Sequence, residues 1–270
     1  MTSSNPGIAL ITGASSGIGA IYADRLARRG YDLILVARSK DKLDTLAQRI
    51  STNTGRAVRV ITADLTVDEG LSRVEEVIAA TPELTLLVNN AGYGSTAPML
   101  QADIGKMTDM IAINVTAPTR LTYKAVPGFV ARGGGAVINI ASIVAIAPEL
   151  LNGVYAGSKA FVLALSQSMH HELSGKNIRV QAVLPGATAT DFWDIAGVPI
   201  DQVPPAWLMS GENMVDAALA GFDAGELVTL PAVEDTALVD GLETARRALF
   251  DQLSGSAPAS RYGIQATVAA

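Results

Sequence analysis

Gly7-Ile8-Ala9-Leu10-Ile11-Thr12-Gly13-Ala14-Ser15-Ser16-Gly17-Ile18-Gly19 reads as a strand, a glycine-rich turn and the start of a helix. Residues 7–11 are an apolar run of strand length, and a helical pattern continues from the turn to about Arg29. Glycines let a backbone approach a phosphate closely, and a helix start offers free N–H groups and the positive end of its dipole. Gly13, Ser15, Ser16, Gly17, Ile18 and Gly19 are therefore candidate phosphate-binding residues. The spacing is Gly-x-x-x-Gly-x-Gly, which differs from the Gly-x-Gly-x-x-Gly of the common dinucleotide fingerprint.

Outward from this unit, strand and helix keep alternating. Tyr31–Ala37 predicts a second strand, Asp41–Ser51 an amphipathic helix, Ala57–Thr62 a third strand and Leu71–Ala80 a helix. Leu84–Val88 is a fourth strand running into Asn89-Asn90-Ala91-Gly92, small and amide residues that suit a tight loop under a flat ligand. One long helix is expected over Met107–Phe129, through Pro118 and Pro127, with Asn114 inside it. An amide there hints at a bend, a bound water or exposure. Gly135–Ile140 and Ile178–Leu184 complete six strands, closing at Ala141-Ser142 and at Pro185-Gly186. This order predicts an α/β fold, a Rossmann-like doubly wound parallel β-sheet with helices on both faces and ligands at the strand ends.

The helix between the last two strands carries Tyr155 and Lys159, four apart and so on one face. An ammonium ion beside a phenol favours the phenolate, and such a pair can trade a proton with an alcohol or carbonyl. The pattern Tyr-x-x-x-Lys is weak by itself. The second strand ends in Ala37-Arg38-Ser39-Lys40, with no carboxylate where a ribose 2′-hydroxyl would be held, and Asp32 stands at the strand's other end. An arginine at that place accepts a 2′-phosphate, so NADP(H) is expected in preference to NAD(H). Asp64, at the end of the third strand, could meet an adenine amino group; its spacing favours a cap on the following turn.

Composition limits the alternatives. The 270 residues are 49% hydrophobic and 17% charged, with net charge -6 and no basic run, which argues against a nucleic-acid partner. Cysteine is absent, and the only histidines, His170 and His171, are adjacent on a helix and point about 100° apart, so no metal site is expected. Met1–Pro6 shows no leader pattern and no apolar run is long enough to span a bilayer, so no membrane association and a cytoplasmic location are expected. Residues 1–270 read as a single domain, with a lid or long connection at about 187–210 and a tail from 254 that is expected to be mobile. A helix from Ser210 to about Asp223, a short strand within Glu226–Pro231 and a helix over Thr236–Leu253 fill the rest.

Taken together, Thr12-Gly-x-x-x-Gly-x-Gly19, Asn89-Asn-Ala-Gly92, Asn114, Ser142, Tyr155-x-x-x-Lys159 and Pro185-Gly186 resemble, in order and spacing, a short-chain dehydrogenase/reductase of compact single-domain type, over residues 7 to about 190. The resemblance implies that Tyr155 is the general acid for ketone reduction. It implies that Lys159 lowers the Tyr155 pKa and binds the nicotinamide ribose, that Ser142 holds the substrate oxygen, and that Asn114 holds a water leading to Lys159. It sets Asp64 and Leu65 by the adenine, Asn90, Ala91 and Gly92 along the cofactor, Pro185, Gly186 and Thr188 at the carboxamide and Thr190 at the pyrophosphate. Thr188 stands where the family often has Val or Ile. A homodimer or homotetramer is implied as well.

The substrate wall expected from the sequence is apolar: Ile143, Val144, Ile146, Leu150, Leu151, Phe192, Trp193 and Trp207. It suits a compact hydrophobic ketone, a diketone or a 3-oxo compound as the small-molecule substrate. No anion-binding residue can be assigned, because Arg120 and Lys124 read as solvated helix residues. Two other readings stand beside this one: a 3-oxoacyl-carrier-protein-type reductase, which the acidic balance disfavours, and a non-catalytic NADP-binding sensor, which the presence of Ser142, Tyr155 and Lys159 disfavours.

Overall fold

The alternation of apolar side chains along the strands decides the architecture. A computed structural model of the chain describes residues 6–264. It runs β1 (Ile8–Thr12), α1 (Gly17–Arg28), β2 (Asp32–Ala37), α2 (Lys40–Thr54), β3 (Val58–Thr62), α3 (Asp68–Ala79), β4 (Leu84–Asn89), α4 (Ile104–Ile111), α5 (Ala117–Ala131), β5 (Gly135–Ile140), α6 (Gly153–Glu172) and β6 (Ile178–Val183). Then follow β7 (Thr188–Ala189), α7 (Phe192–Ala196), β8 (Met209–Ser210), α8 (Gly211–Ala224), β9 (Val228–Thr229) and α9 (Thr236–Ala248).

Seven strands form one parallel sheet in the order β3-β2-β1-β4-β5-β6-β9. Ala9 and Ile11 of β1, with Leu33 and Leu35 of β2, face a core shared with Tyr22 and Leu26 of α1, Leu43 and Ile50 of α2, and Val215 and Leu219 of α8. Their neighbours Leu10, Ile34 and Val36 face the opposite core, shared with Leu71 and Val74 of α3 and Leu121 and Phe129 of α5. Successive strand residues point to opposite faces, so a strand apolar at every position must be covered on both sides. The order reverses between β1 and β4, and a crevice opens there at the carboxyl ends of the strands.

The expected long helix over 107–129 is instead two α-helices joined by a π-helical turn, Ala112–Thr116, and it starts earlier, at Ile104. Asn114 lies in that turn and is buried. The wider turn frees backbone room for a buried amide, which an unbroken α-helix would not accommodate. Arg120 differs as well: it is ion-paired to Glu75 at 2.8 Å and to Asp68, joining α5 to α3 rather than standing in solvent.

Contacts divide the chain into two compact units, one ending at Pro231 and the other beginning at Ala232. The first holds the whole sheet. In the second, α9 ends at Ala248 and a 3-10 turn, Phe250–Gln252, follows where one helix to Leu253 was expected; another 3-10 turn, Ser260–Tyr262, lies further on. Asp235 caps α9 by accepting from the Ala237 N–H at 2.9 Å, and none of the helix residues is buried. Of the expected tail, residues 254–264 are exposed and 265–270 lie outside the described residues, as do residues 1–5 of the polar start.

Candidate active site

Thr12 closes the crevice floor. Its hydroxyl accepts from the N–H groups of Asn90 and Ala91, each at 3.0 Å, and donates to the Val88 carbonyl at 3.3 Å. The Asn90 amide donates to the carbonyls of Thr12 at 2.9 Å and Gly13 at 3.2 Å. Asn90 thus braces the glycine turn from below, a role the sequence reading did not assign to it or to Thr12. The turn has no spare room: a methyl on Gly13 would sit 2.8 Å from the Ala91 Cα, and one on Gly19 would overlap the Gly13 carbonyl. Gly13 and Gly17 also have positive φ, 65° and 51°.

The N-terminus of α1 has no acidic residue in its first turn and no side-chain cap. Its free N–H groups therefore remain available to an anion. A dinucleotide fits this arrangement on geometry: a glycine-lined turn, an uncapped helix start and a crevice bounded by Asn90, Ala91 and Gly92. Arg38, just past β2, is exposed and forms no hydrogen bond or ion pair among the described residues. It lies near enough to Asp64 to favour that carboxylate's charged form. The Asp64 carboxylate accepts from the Thr66 N–H at 2.9 Å and the Thr66 hydroxyl at 2.7 Å, so it caps the turn after β3. Leu65 is buried in the core on that side of the sheet.

From the other bank come Ser142, Tyr155 and Lys159. Ser142 follows β5 and caps a short 3-10 turn, Ile143–Ala145, accepting from the Val144 N–H at 3.3 Å. Asn152 caps α6 by accepting from the N–H groups of Val154 and Tyr155, which fixes the first turn where Tyr155 sits. Ser142 lies close enough to the Tyr155 phenol to lower its pKa. Lys159, one turn on, donates from Nζ to the Ile140 carbonyl at 2.8 Å. Burial is the dominant influence on both groups. It pushes the Tyr155 phenol up to about 12, against a smaller lowering by Ser142, and pulls the Lys159 ammonium down to about 8. Lys159 Nζ lies 5.9 Å from the Tyr155 ring centroid and is turned to the Ile140 carbonyl.

Asn114 stands behind this pair and does not line the cavity. Its amide donates to the Tyr93 carbonyl and to Ser158 Oγ, each at 3.0 Å, and accepts from the Tyr93 N–H at 3.2 Å. One lone pair of its oxygen is left for a water. The contacts tie the loop after β4 to α6.

One cavity of about 450 Å³ joins these elements. Of the residues expected to hold a cofactor, Gly13, Ser16, Gly17, Ile18, Asn90, Ala91, Gly92, Pro185, Gly186, Thr188 and Thr190 line it. The catalytic and substrate candidates Ser142, Val144, Tyr155, Lys159, Phe192 and Trp193 line it as well, whereas Ser15, Gly19, Arg38, Asp64 and Leu65 lie off it. Of the wall foreseen from the sequence, Ile146 alone is missing. Residues 187–210, expected as a lid, supply Ile195, Val198, Gln202, Val203 and Pro204, which no sequence pattern marked. This segment is held by Trp193 Nε1 donating to the Thr188 carbonyl at 3.0 Å and by Thr96 donating to the Ala196 carbonyl from N and Oγ1, at 3.0 and 2.8 Å. His170 and His171 are exposed in the last turn of α6, and no group of residues that could hold a metal occurs among the described residues. No helix among them is long and apolar enough to cross a membrane.

The sequence is similar to known proteins along most of its length. A family model described as short chain dehydrogenase matches residues 7–196. A short-chain dehydrogenase from Sphingobium yanoikuyae, solved in complex with NADPH, is 45% identical, with a TM-score of 0.92 over 95% of this chain and 99% of that one. A bulky-bulky ketone specific alcohol dehydrogenase from Comamonas testosteroni is 41% identical, with a TM-score of 0.88 over 96% and 99%. The very-long-chain 3-oxoacyl-CoA reductase of Homo sapiens is 33% identical over 201 residues, 73% of this chain and 64% of that protein. The chain thus spans somewhat under two thirds of the length of that curated relative.

Proposed function

This chain belongs to the short-chain dehydrogenase family of oxidoreductases, and on that premise we propose that it reduces apolar ketones with NADPH. The observation that carries the reading is Ser142 beside the Tyr155 phenol, with buried Lys159 one turn on, at the wall of a cavity lined mainly by apolar side chains. Ser142 and the Tyr155 hydroxyl orient a carbonyl oxygen by hydrogen bonds that strengthen as charge develops on it. Tyr155, neutral at pH 7, gives its proton to that oxygen, and the Lys159 ammonium stabilises the phenolate left behind. A bound nicotinamide supplies the hydride. The apolar lid excludes water from the reacting carbon.

NADPH is favoured over NADH by Arg38, a cation with no partner of its own among the described residues at the end of β2, where a 2′-phosphate accepts a bidentate grip. The likeness to a bulky-ketone dehydrogenase over nearly the whole chain supports a ketone with two sizeable substituents. The likeness to acyl-CoA reductases covers less of the chain and supports a 3-oxoacyl thioester as second choice. The reading includes residues 187–210 as the substrate lid, a cytoplasmic location and a homodimer or homotetramer, for which light scattering is the direct measurement.

The test is NADPH and NADH oxidation against aryl ketones, diketones, 3-oxo esters and 3-oxoacyl-CoA. Turnover with NADPH on the aryl ketones is expected, lost in Tyr155→Phe with NADPH binding kept. Arg38→Asp should reduce the NADPH-over-NADH ratio by about tenfold or more. An unchanged ratio removes Arg38 from the 2′ site, and full activity in Tyr155→Phe overturns the mechanism.

A further inference from the structure

Gly94 is buried, yet its backbone needs no glycine: its φ lies outside the left-handed region that other glycines of the chain occupy. The reason for a glycine there is space. A methyl built on Gly94 would stand 2.6 Å from Cζ and 2.8 Å from Cε2 of Phe192, and 3.2 Å from Cε2 of Tyr155. The Phe192 ring therefore enters tip first into the room left by the missing side chain. There it packs against the catalytic phenol, ring centroids 5.8 Å apart, and meets Trp193 edge-on at 5.5 Å.

Which partner would yield is decided by how each is held. The loop carrying Gly94 is fixed on every side. Tyr93 is bound through both backbone groups to Asn114. Asn152 donates from its N–H to the Ser95 carbonyl at 3.3 Å and from its amide to the Ala97 carbonyl at 2.7 Å. Tyr155 belongs to the twenty-residue helix α6. Phe192 opens α7, a helix of five residues in the lid, and is only partly buried. The Phe192 ring is the movable member.

We propose that Gly94 is a specificity-determining residue that acts through Phe192. Its missing side chain sets how far that ring stands back from the substrate space and how it rests on Tyr155. This rests on the ketone-reductase reading and identifies the position that admits a large substituent. A side chain at 94 drives the ring tip out into the cavity, and bulky ketones lose their place before small ones do.

The experiment is a double-mutant cycle of Gly94→Ala and Phe192→Ala in the full chain, with a bulky diaryl ketone and a small aliphatic ketone. Gly94→Ala should lower kcat/KM for the bulky ketone relative to the small one by about tenfold, chiefly through KM, and should have no effect beyond about twofold once Phe192 is Ala. The emission of Trp193, read in a Trp207→Phe background, should shift with Gly94→Ala and not with the same change in Phe192→Ala. Equal effects of Gly94→Ala in both backgrounds overturn the proposal. If Gly94→Ala alone fails to fold, the double variant should fold, and its failure overturns the proposal too. A wild type that reduces no ketone defeats the ketone reading instead, while the emission cycle still scores whether residue 94 positions Phe192.

Discussion

At the scale of the residue, Lys159 shows how a functional group sits at the expense of the fold. It is buried at the cavity wall, and the fall of its pKa from 10.5 to about 8 corresponds to about 3 kcal/mol held against the folded state at neutral pH. The sign follows from proton counting. Between pH 8 and 10.5 the unfolded chain binds the proton and the folded chain does not, so stability attributable to Lys159 rises with pH across that window. Lys159→Met removes the buried charge and also the hydrogen bond to the Ile140 carbonyl, worth about 1 kcal/mol. The variant should therefore be inactive yet more stable than the wild type by about 2 kcal/mol at pH 7. Denaturant melts at pH 7 and pH 10 test this, and the gap should narrow at pH 10. A variant less stable at pH 7 would mean that the ammonium is better solvated than its burial indicates. Tyr155 opposes this trend only above pH 10, since its raised pKa adds stability that is lost from pH 10 to about 12.

At the scale of the element, the π-helical turn Ala112–Thr116 is the joint between scaffold and site. It turns the Asn114 amide inward to the Tyr93 backbone and to Ser158, which itself donates to the Tyr155 carbonyl at 2.7 Å. Asn114→Ala leaves Tyr93 N–H and C=O without these partners in a buried place. The expected cost is about 2–4 kcal/mol of stability, with a fall in kcat/KM as the loop bearing Gly94 loosens. Chemical denaturation alongside kinetics reads both, and a loss under about 0.5 kcal/mol would show that water replaces the amide at no cost. A second buried network joins β4, β5 and α6: Asn89 donates to Asn139 Oδ1 and Thr122 Oγ1, and Asn139 donates to Ser166 Oγ, each at 2.9 Å. The network is satisfied only in part: its amide nitrogens all find acceptors, while Asn89 Oδ1 is buried without a hydrogen-bond partner.

At the scale of the whole molecule, the sheet and every residue lining the cavity fall within the unit that ends at Pro231. A chain stopped after Pro231 should fold and bind NADPH with affinity within about threefold of the full chain, as calorimetry can measure. Loss of binding would make the second unit part of the nucleotide site's support. Much of this was open to a reader of the sequence. The strand-turn-helix at residues 7–19, the six alternations of strand and helix and the Tyr155–Lys159 spacing each follow from local rules, because period-2 and period-3.6 patterns and glycine turns act between near neighbours. The long helix was misjudged because nothing local distinguishes a π-helical turn from α-helix, and Asn114 finds its partners at Tyr93 and Ser158, far along the chain. The same holds for Gly94, silent in sequence until Phe192 is folded against it. The sequence by itself determined the fold class and singled out Ser142, Tyr155 and Lys159 as the candidate reacting groups. Only the tertiary structure decided their burial, their pKa values and the shape of the apolar wall, because these depend on which distant segments exclude water from them.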